Sequence, residues 1–334
     1  MPLTLPPSVT SDLAPRPVQS TATECNDAAV LRRFVQVYWL RPENALWMTL
    51  RSLTLRALPF TRPSIDLSCG DGIFSFLHLG GALDPAFDVF CSVTPLDSNA
   101  RPSVDMFDHL EASYAPPVLL PPGARIDVGE DCKASMLAKA ARLPLYERLV
   151  EHDNNAPLPF DDGEFQTTYC NSAYWVARID AFLNELRRVT RPGGRIILQV
   201  KLDDMKRWTL EASHPVLGER FLEIIGSRFH CWPTLTDRRT WERRFAAAGL
   251  RIESATPFVT AAHARLWDVG LRPLAPLLIR MANGLGSASR TAIKRDWVAL
   301  MMDLLGPLCD PDLSFSGPAD GLPAELQYVL IPSA

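Results

Sequence analysis

The stretch from Ser64 to Phe76, Ser-Ile-Asp-Leu-Ser-Cys-Gly-Asp-Gly-Ile-Phe-Ser-Phe, constrains this chain more than any other. Its pattern predicts a short buried strand over Ser64–Leu67 that carries a carboxylate, Asp66, near its end. Cys69 to Gly72 read as a glycine turn, and Ile73 to Leu79 as the first turns of a helix. Gly70 and Gly72 remove side chains where a backbone must bend sharply and approach a ligand, and the helix start that follows offers unpaired N–H groups. Strand, turn and helix together make a ligand cradle, with Asp66 aimed at the crevice.

Two kinds of ligand compete for such a turn. A dinucleotide wants Gly-x-Gly-x-x-Gly, with a third glycine for close helix packing and a pyrophosphate on the helix start. Here the third glycine position is Ser75, and Asp66 and Asp71 flank the turn. Carboxylates repel a pyrophosphate and attract an ammonium or sulfonium, so the residues favour a cationic ligand over a phosphorylated one. A nicotinamide oxidoreductase is disfavoured on the same grounds. The run Asp66-Leu67-Ser68-Cys69-Gly70-Asp71-Gly72 resembles the first motif of the class I S-adenosylmethionine-dependent methyltransferases. The resemblance implies an α/β fold: a doubly wound, seven-stranded, mostly parallel sheet with a helical lid and insertions. It also implies S-adenosylmethionine as cofactor and S-adenosylhomocysteine as product, with Asp66, Ser68, Gly70 and Gly72 in the cofactor site.

Later segments extend the resemblance. Ala124 to Asp131 reads as a second strand and Ala134 to Leu143 as its helix. An acid at the tip of this strand sits where a ribose lies in a doubly wound sheet. Asp131 is the candidate, with Cys132 beside it, and strand alternation turns Glu130 away. A third strand is expected to end at Asp153, whose carboxylate would accept from an exocyclic adenine amine while the N–H of Asn154 serves a ring nitrogen. Leu149 to Phe160, followed by Asp161, Asp162, Gly163 and Phe165, is similar to the family pattern D-x-x-x-L-P-F before D-x-x-F-D. Gln166 departs from it, standing where the family usually has Asp. A fourth strand over Gln166–Asn171 leads to Asn171, Tyr174 and Trp175, which the resemblance turns toward the sulfonium and the acceptor. An Asn-Pro-Pro-Tyr signature is absent, which disfavours amino-methylation of adenine or glutamine. Ile179 to Val189 is an amphipathic helix, and Phe-Leu-x-Glu-Leu-x-Arg-Val-x-Arg-Pro-Gly-Gly-Arg, ending at Arg195, is very close to the family's string before the strand Arg195–Val200.

Around this core, residues 1–22 read as a flexible tail and 23–60 as a helical lid. Residues 61–200 form the cofactor-binding core, with an insertion at about 81–123. Residues 201–237 read as a substrate-lobe insertion, and 238–334 as the end of the sheet with a helical insertion at about 260–315. A net charge of −4 supplies no basic excess for phosphates, so no nucleic-acid partner is expected. Seven cysteines without a C-x-x-C pair suit reduced thiols, and neither a membrane span nor a secretory signal is visible, so the expected location is the cytoplasm. Asp105, Asp108 and His109 read as solvated loop surface, and no metal is expected.

Methyl transfer from a sulfonium needs alignment and exclusion of water, and needs a general base only when the acceptor must lose a proton. Tyr174 and His214 are the catalytic candidates, with His230 as a further one. The reading is a methyltransferase acting on a small-molecule acceptor, a secondary metabolite or biosynthetic intermediate, with a homodimer formed through the C-terminal helices. The alternative is a non-methylating or binding-only S-adenosylmethionine protein on the same fold.

Overall fold

In the computed structural model, residues 22–93, 106–209, 232–310 and 322–333 are described. Two helices, α1 (Ala22–Val37) and α2 (Pro42–Leu55), lead into strand β1 (Ser64–Leu67) and helix α3 (Ile73–His78). Pro42 opens α2 because a first-turn residue needs no N–H donor. A small antiparallel pair follows, β2 (Ala82–Leu83) with β3 (Val118–Leu120). Alternation of strand and helix then resumes with β4 (Ile126–Asp131), α4 (Ala134–Ala140), β5 (Tyr146–Glu151), β6 (Phe165–Cys170), α5 (Ile179–Val189) and β7 (Thr190–Lys201). The chain closes with α6 (Arg238–Ala247), β8 (Leu250–Val259), α7 (Ala261–Arg265), α8 (Ala275–Asn283), α9 (Ser287–Leu305) and β9 (Glu325–Pro332).

The main sheet runs β5-β4-β1-β6-β7-β9-β8. The five strands from β5 to β7 pair in parallel, and β9 pairs antiparallel with both β7 and β8. This is the doubly wound, seven-stranded, mostly parallel sheet expected from the sequence. Its order reverses between β1 and β6, and in such sheets the crevice for ligands opens beyond the carboxyl ends of the strands at that reversal.

Alternation along the strands sorts the core into two layers. Ile65, Leu67, Ile196 and Leu198 face one apolar cluster, with Phe182, Leu183 and Leu186 of α5 and Trp241 and Phe245 of α6. Tyr169 and Ile197 face the other, beneath α1, α2 and α3. The buried stripe of α5, Ile179, Phe182, Leu183, Leu186 and Val189, follows the 3.6-residue period, and each such side chain contributes about 1.5–3 kcal/mol by leaving water. Phe34 of α1 stacks on Phe74 of α3 at 5.9 Å between centroids, which packs the first helix against the helix that follows the glycine turn. Among the described residues no helix is long and apolar enough to cross a membrane.

Some elements differ from expectation. Strand β5 ends at Glu151, so Asp153 lies in the turn beyond it. The C-terminal helices carry apolar residues at Val269, Leu277, Met281, Val298 and Met301, on faces that suit a lid, a dimer interface or both. Only Val298 and Met301 are buried, while Val269, Leu277 and Met281 are exposed.

Candidate cofactor and acceptor site

The glycine turn has the backbone its residues require. Gly70 and Gly72 adopt φ of 59° and 76°, and Ser68 adopts 57°, the one positive value at a non-glycine residue among those described. Ser68 holds this left-handed conformation within a mesh of hydrogen bonds. Its N–H donates to Glu130 Oε2 at 3.1 Å, and its hydroxyl accepts from Asn154 Nδ2 at 3.0 Å. The turn is therefore held by side chains from β4 and from the turn after β5.

Three carboxylates converge here, and burial dominates their chemistry. Asp66 is buried, and its Oδ2 accepts from Ser75 Oγ at 2.5 Å and Tyr146 Oη at 2.7 Å. Burial raises Asp66 to about 6 despite those two donors. Glu130 has no solvent exposure and is raised to about 8 by burial, with Asp131 and Asp66 adding to the effect. Asp131 is also raised by burial, against the N–H groups of Lys133 and Gly70, which it accepts at 2.9 and 3.0 Å. Tyr146 forms the floor beneath them. A Cβ at Gly129 would stand 2.9 Å from its ring and one at Gly72 3.1 Å from it, so both positions must lack a side chain for the phenol to reach Asp66.

Two expectations need correction. Glu130 does not turn away from the turn; it is bonded to Ser68 and Asn154, because its side chain is long enough to reach across the β1 end. Asp153 is exposed and occupied locally, accepting from the N–H and Nδ2 of Asn155 at 2.9 and 2.8 Å. Asn154 is the buried residue of that turn, and it is also the one separated from Leu158-Pro159-Phe160 by three residues. Cys132 is exposed beside Asp131, and Asn171 is half-buried, donating to Tyr169 Oη at 3.2 Å and accepting from Ser172. His214 and His230 lie outside the described residues.

Tyr174 sits at the other end of the crevice, beyond β6, among groups the sequence did not connect. Its ring lies 4.9 Å from Lys201 Nζ, whose ammonium also faces Trp47 at 4.3 Å and Trp232 at 5.1 Å. Lys201 is paired with Glu325, which also accepts from Arg51 at 3.1 Å and from Trp47 Nε1 at 2.9 Å. All four are buried. Burial lowers the Lys201 ammonium, and Glu325 opposes that shift. The pairing escaped sequence reading because Lys201 and Glu325 stand 124 residues apart.

Residues 122–198 match a family model described as a methyltransferase domain. A search of curated proteins gave no match. Among solved structures, a chain from the Haloferax volcanii complex of the Trm112 methyltransferase activator is 13% identical, covering 94% of this chain and 98% of that one, with a TM-score of 0.45. The [4+2]-cyclase SpnF is 14% identical over 86% and 81% of the two chains, with a TM-score of 0.43. The geranyl diphosphate C-methyltransferase of Streptomyces coelicolor A3(2), solved with S-adenosyl-L-homocysteine, is 15% identical over 87% and 82%, with a TM-score of 0.39.

Proposed function

With a class I methyltransferase as the premise, given by the sheet order and by the methyltransferase domain matched at residues 122–198, we propose that this chain transfers a methyl group from S-adenosylmethionine to a small-molecule acceptor. The observation that carries the reading is the convergence of Asp66, Glu130 and Asp131 on a left-handed glycine turn at the switch point of the sheet. Buried carboxylates with raised proton affinity suit a ligand that brings positive charge to them.

The residues present fit the cofactor's donor groups. Glu130 Oε1 and Asn154 Oδ1 are buried acceptors without a hydrogen-bond partner among the described residues, and buried acceptors of this kind call for a donor. In this reading Asp131 takes ribose hydroxyls, Asn154 and Glu130 serve donor groups of the nucleoside, and Asp66 with the Gly70 turn holds the charged amino-acid end. When bound, S-adenosylmethionine supplies a methyl group already activated by its sulfonium. The protein's own contribution is alignment and the exclusion of water, which α1 and α2 provide by packing over the crevice.

Tyr174 is the catalytic candidate within the described residues. Arg51 and Lys201 stand beside it, and these cations favour negative charge developing on an acceptor that loses its proton. The rings of Trp47, Trp232 and Tyr174 give the acceptor side an aromatic wall. A homodimer through the C-terminal helices belongs to the same proposal, supported by the exposed Leu277, Met281, Leu300 and Leu304.

The test is turnover. Purified protein is incubated with S-adenosylmethionine and a panel of aromatic hydroxyl, amine and acid acceptors, and S-adenosylhomocysteine release is followed. The expected result is acceptor-dependent release that Tyr174→Phe slows. Cofactor binding with no release for any acceptor of the panel would favour the binding-only alternative.

A further inference from the structure

A cavity lies away from the carboxylate crevice, between α1, the turn at Pro85–Cys91 and α9, with a volume of about 540 Å³. That volume is in the range that encloses a small organic ligand. Its charge is lopsided. Arg32, Arg290, Lys294 and Arg295 line it, and Asp88 is the carboxylate in the lining, within a chain whose net charge is −4.

Asp88 is already committed. Its Oδ2 accepts from Arg290 Nε at 2.8 Å and its Oδ1 from the N–H of Phe90 at 3.0 Å. Lys294, 6% exposed, has the neutral carbonyl of Phe87 as its hydrogen-bond acceptor at 2.5 Å; burial lowers its ammonium, and the charges of Asp88 and Asp84 offset that only in part. Arg290 is 9% exposed, and its Nη2 has no hydrogen-bond partner among the described residues. A cation removed from water against a neutral partner is costly, and an anion brought to the same place offsets that cost. Arg32 and Arg295 stand exposed at the rim, Arg295 beside Asp296 at 3.1 Å. Pro85, Ala86, Val298 and Ala299 supply an apolar wall next to the cations.

We propose that this groove binds a small organic anion, a carboxylate or phosphate monoester bearing an apolar tail, with the charged head toward Arg290 and Lys294. The ligand would bridge α1, which packs on α3 through Phe34, to α9, and so tie the lid to the C-terminal helices. The inference is independent of the methyl-transfer reading.

The experiment is calorimetric titration of the full chain, with and without saturating S-adenosylhomocysteine, using octanoate, octyl phosphate, inorganic phosphate and octanol. One octyl anion, or both, is expected to bind at a single site at least about tenfold more tightly than octanol or inorganic phosphate, and the stronger of the two identifies the head group. The rim variant Arg32→Glu/Arg295→Glu, both surface positions, is expected to weaken that binding by about 100-fold while its melting curve and S-adenosylhomocysteine titration stay as in the wild type. Lys294→Met should abolish it. No saturable binding of either octyl anion, equal binding of octanol, or binding that the rim variant leaves unchanged would overturn the proposal.

Discussion

Glu130 and Asp131 are neighbours at the end of β4, yet their surroundings give them different roles. Asp131 spreads its two oxygens over the N–H groups of Gly70 and Lys133, so it both shapes the turn and faces the crevice. Asp131→Ala is expected to weaken S-adenosylmethionine binding by roughly 1–3 kcal/mol in calorimetry. Unchanged affinity would remove it from the ribose role. Glu130 has a proton affinity raised by burial from the ordinary 4.5 to about 8. A carboxyl raised in the folded state holds a proton that the unfolded chain has lost, so stability falls as pH rises from the unfolded value through the folded one. The melting temperature of the ligand-free protein should therefore fall between about pH 4.5 and about pH 8, and Glu130→Gln should flatten that fall. A cationic ligand reverses the sign for binding, so affinity for S-adenosylmethionine should rise over the same range and rise less in the variant. At this scale the sequence revealed Asp66, Gly70, Gly72 and Asp131, whose types and spacing carry the motif. It misled at Glu130, because strand alternation describes where a Cβ points and not how far a glutamate reaches. It was silent on Tyr146, whose place depends on the bare backbone of Gly129 across the sheet.

Lid helix α2 shows how far elements depend on distant partners. Trp47 and Arg51 reach Glu325 at the start of β9, Gln199 Nε2 donates to Arg51 O at 3.3 Å, and Gln327 Nε2 donates to Thr54 O at 3.1 Å. Glu325→Gln leaves buried Lys201 and Arg51 without their carboxylate and should destabilise the fold by roughly 3–5 kcal/mol in denaturant titration. A change under about 1 kcal/mol would mean that the cluster does not hold α2 down. The periodic elements were legible: α5 begins and ends at the residues its apolar stripe predicts, and β1 likewise. Helix α9 was not, because it buries Arg290 and Lys294 and exposes Ile293, Leu300 and Leu304, a pattern that hydropathy alone assigns the wrong way round. There the interior cations follow from Asp88 and the carbonyl of Phe87, contacts across 202 and 207 residues.

Across the whole molecule, the doubly wound order puts β1, β4 and β6 side by side although the chain visits them far apart, and this brings the acidic turn and Tyr174 to one edge of the sheet. The exposed leucines of α8 and α9 set the expected assembly: light scattering should give a dimer, and Leu277→Glu/Leu304→Glu should give a monomer with the same cofactor affinity. A wild-type monomer would remove the dimer. The central claim is that the acidic turn holds a sulfonium cofactor. Its most direct test is calorimetric titration of the purified chain with S-adenosylmethionine, S-adenosylhomocysteine and NADH at neutral pH. Micromolar binding of the first two and none of NADH is the predicted result; micromolar binding of NADH with no binding of the other two would contradict it.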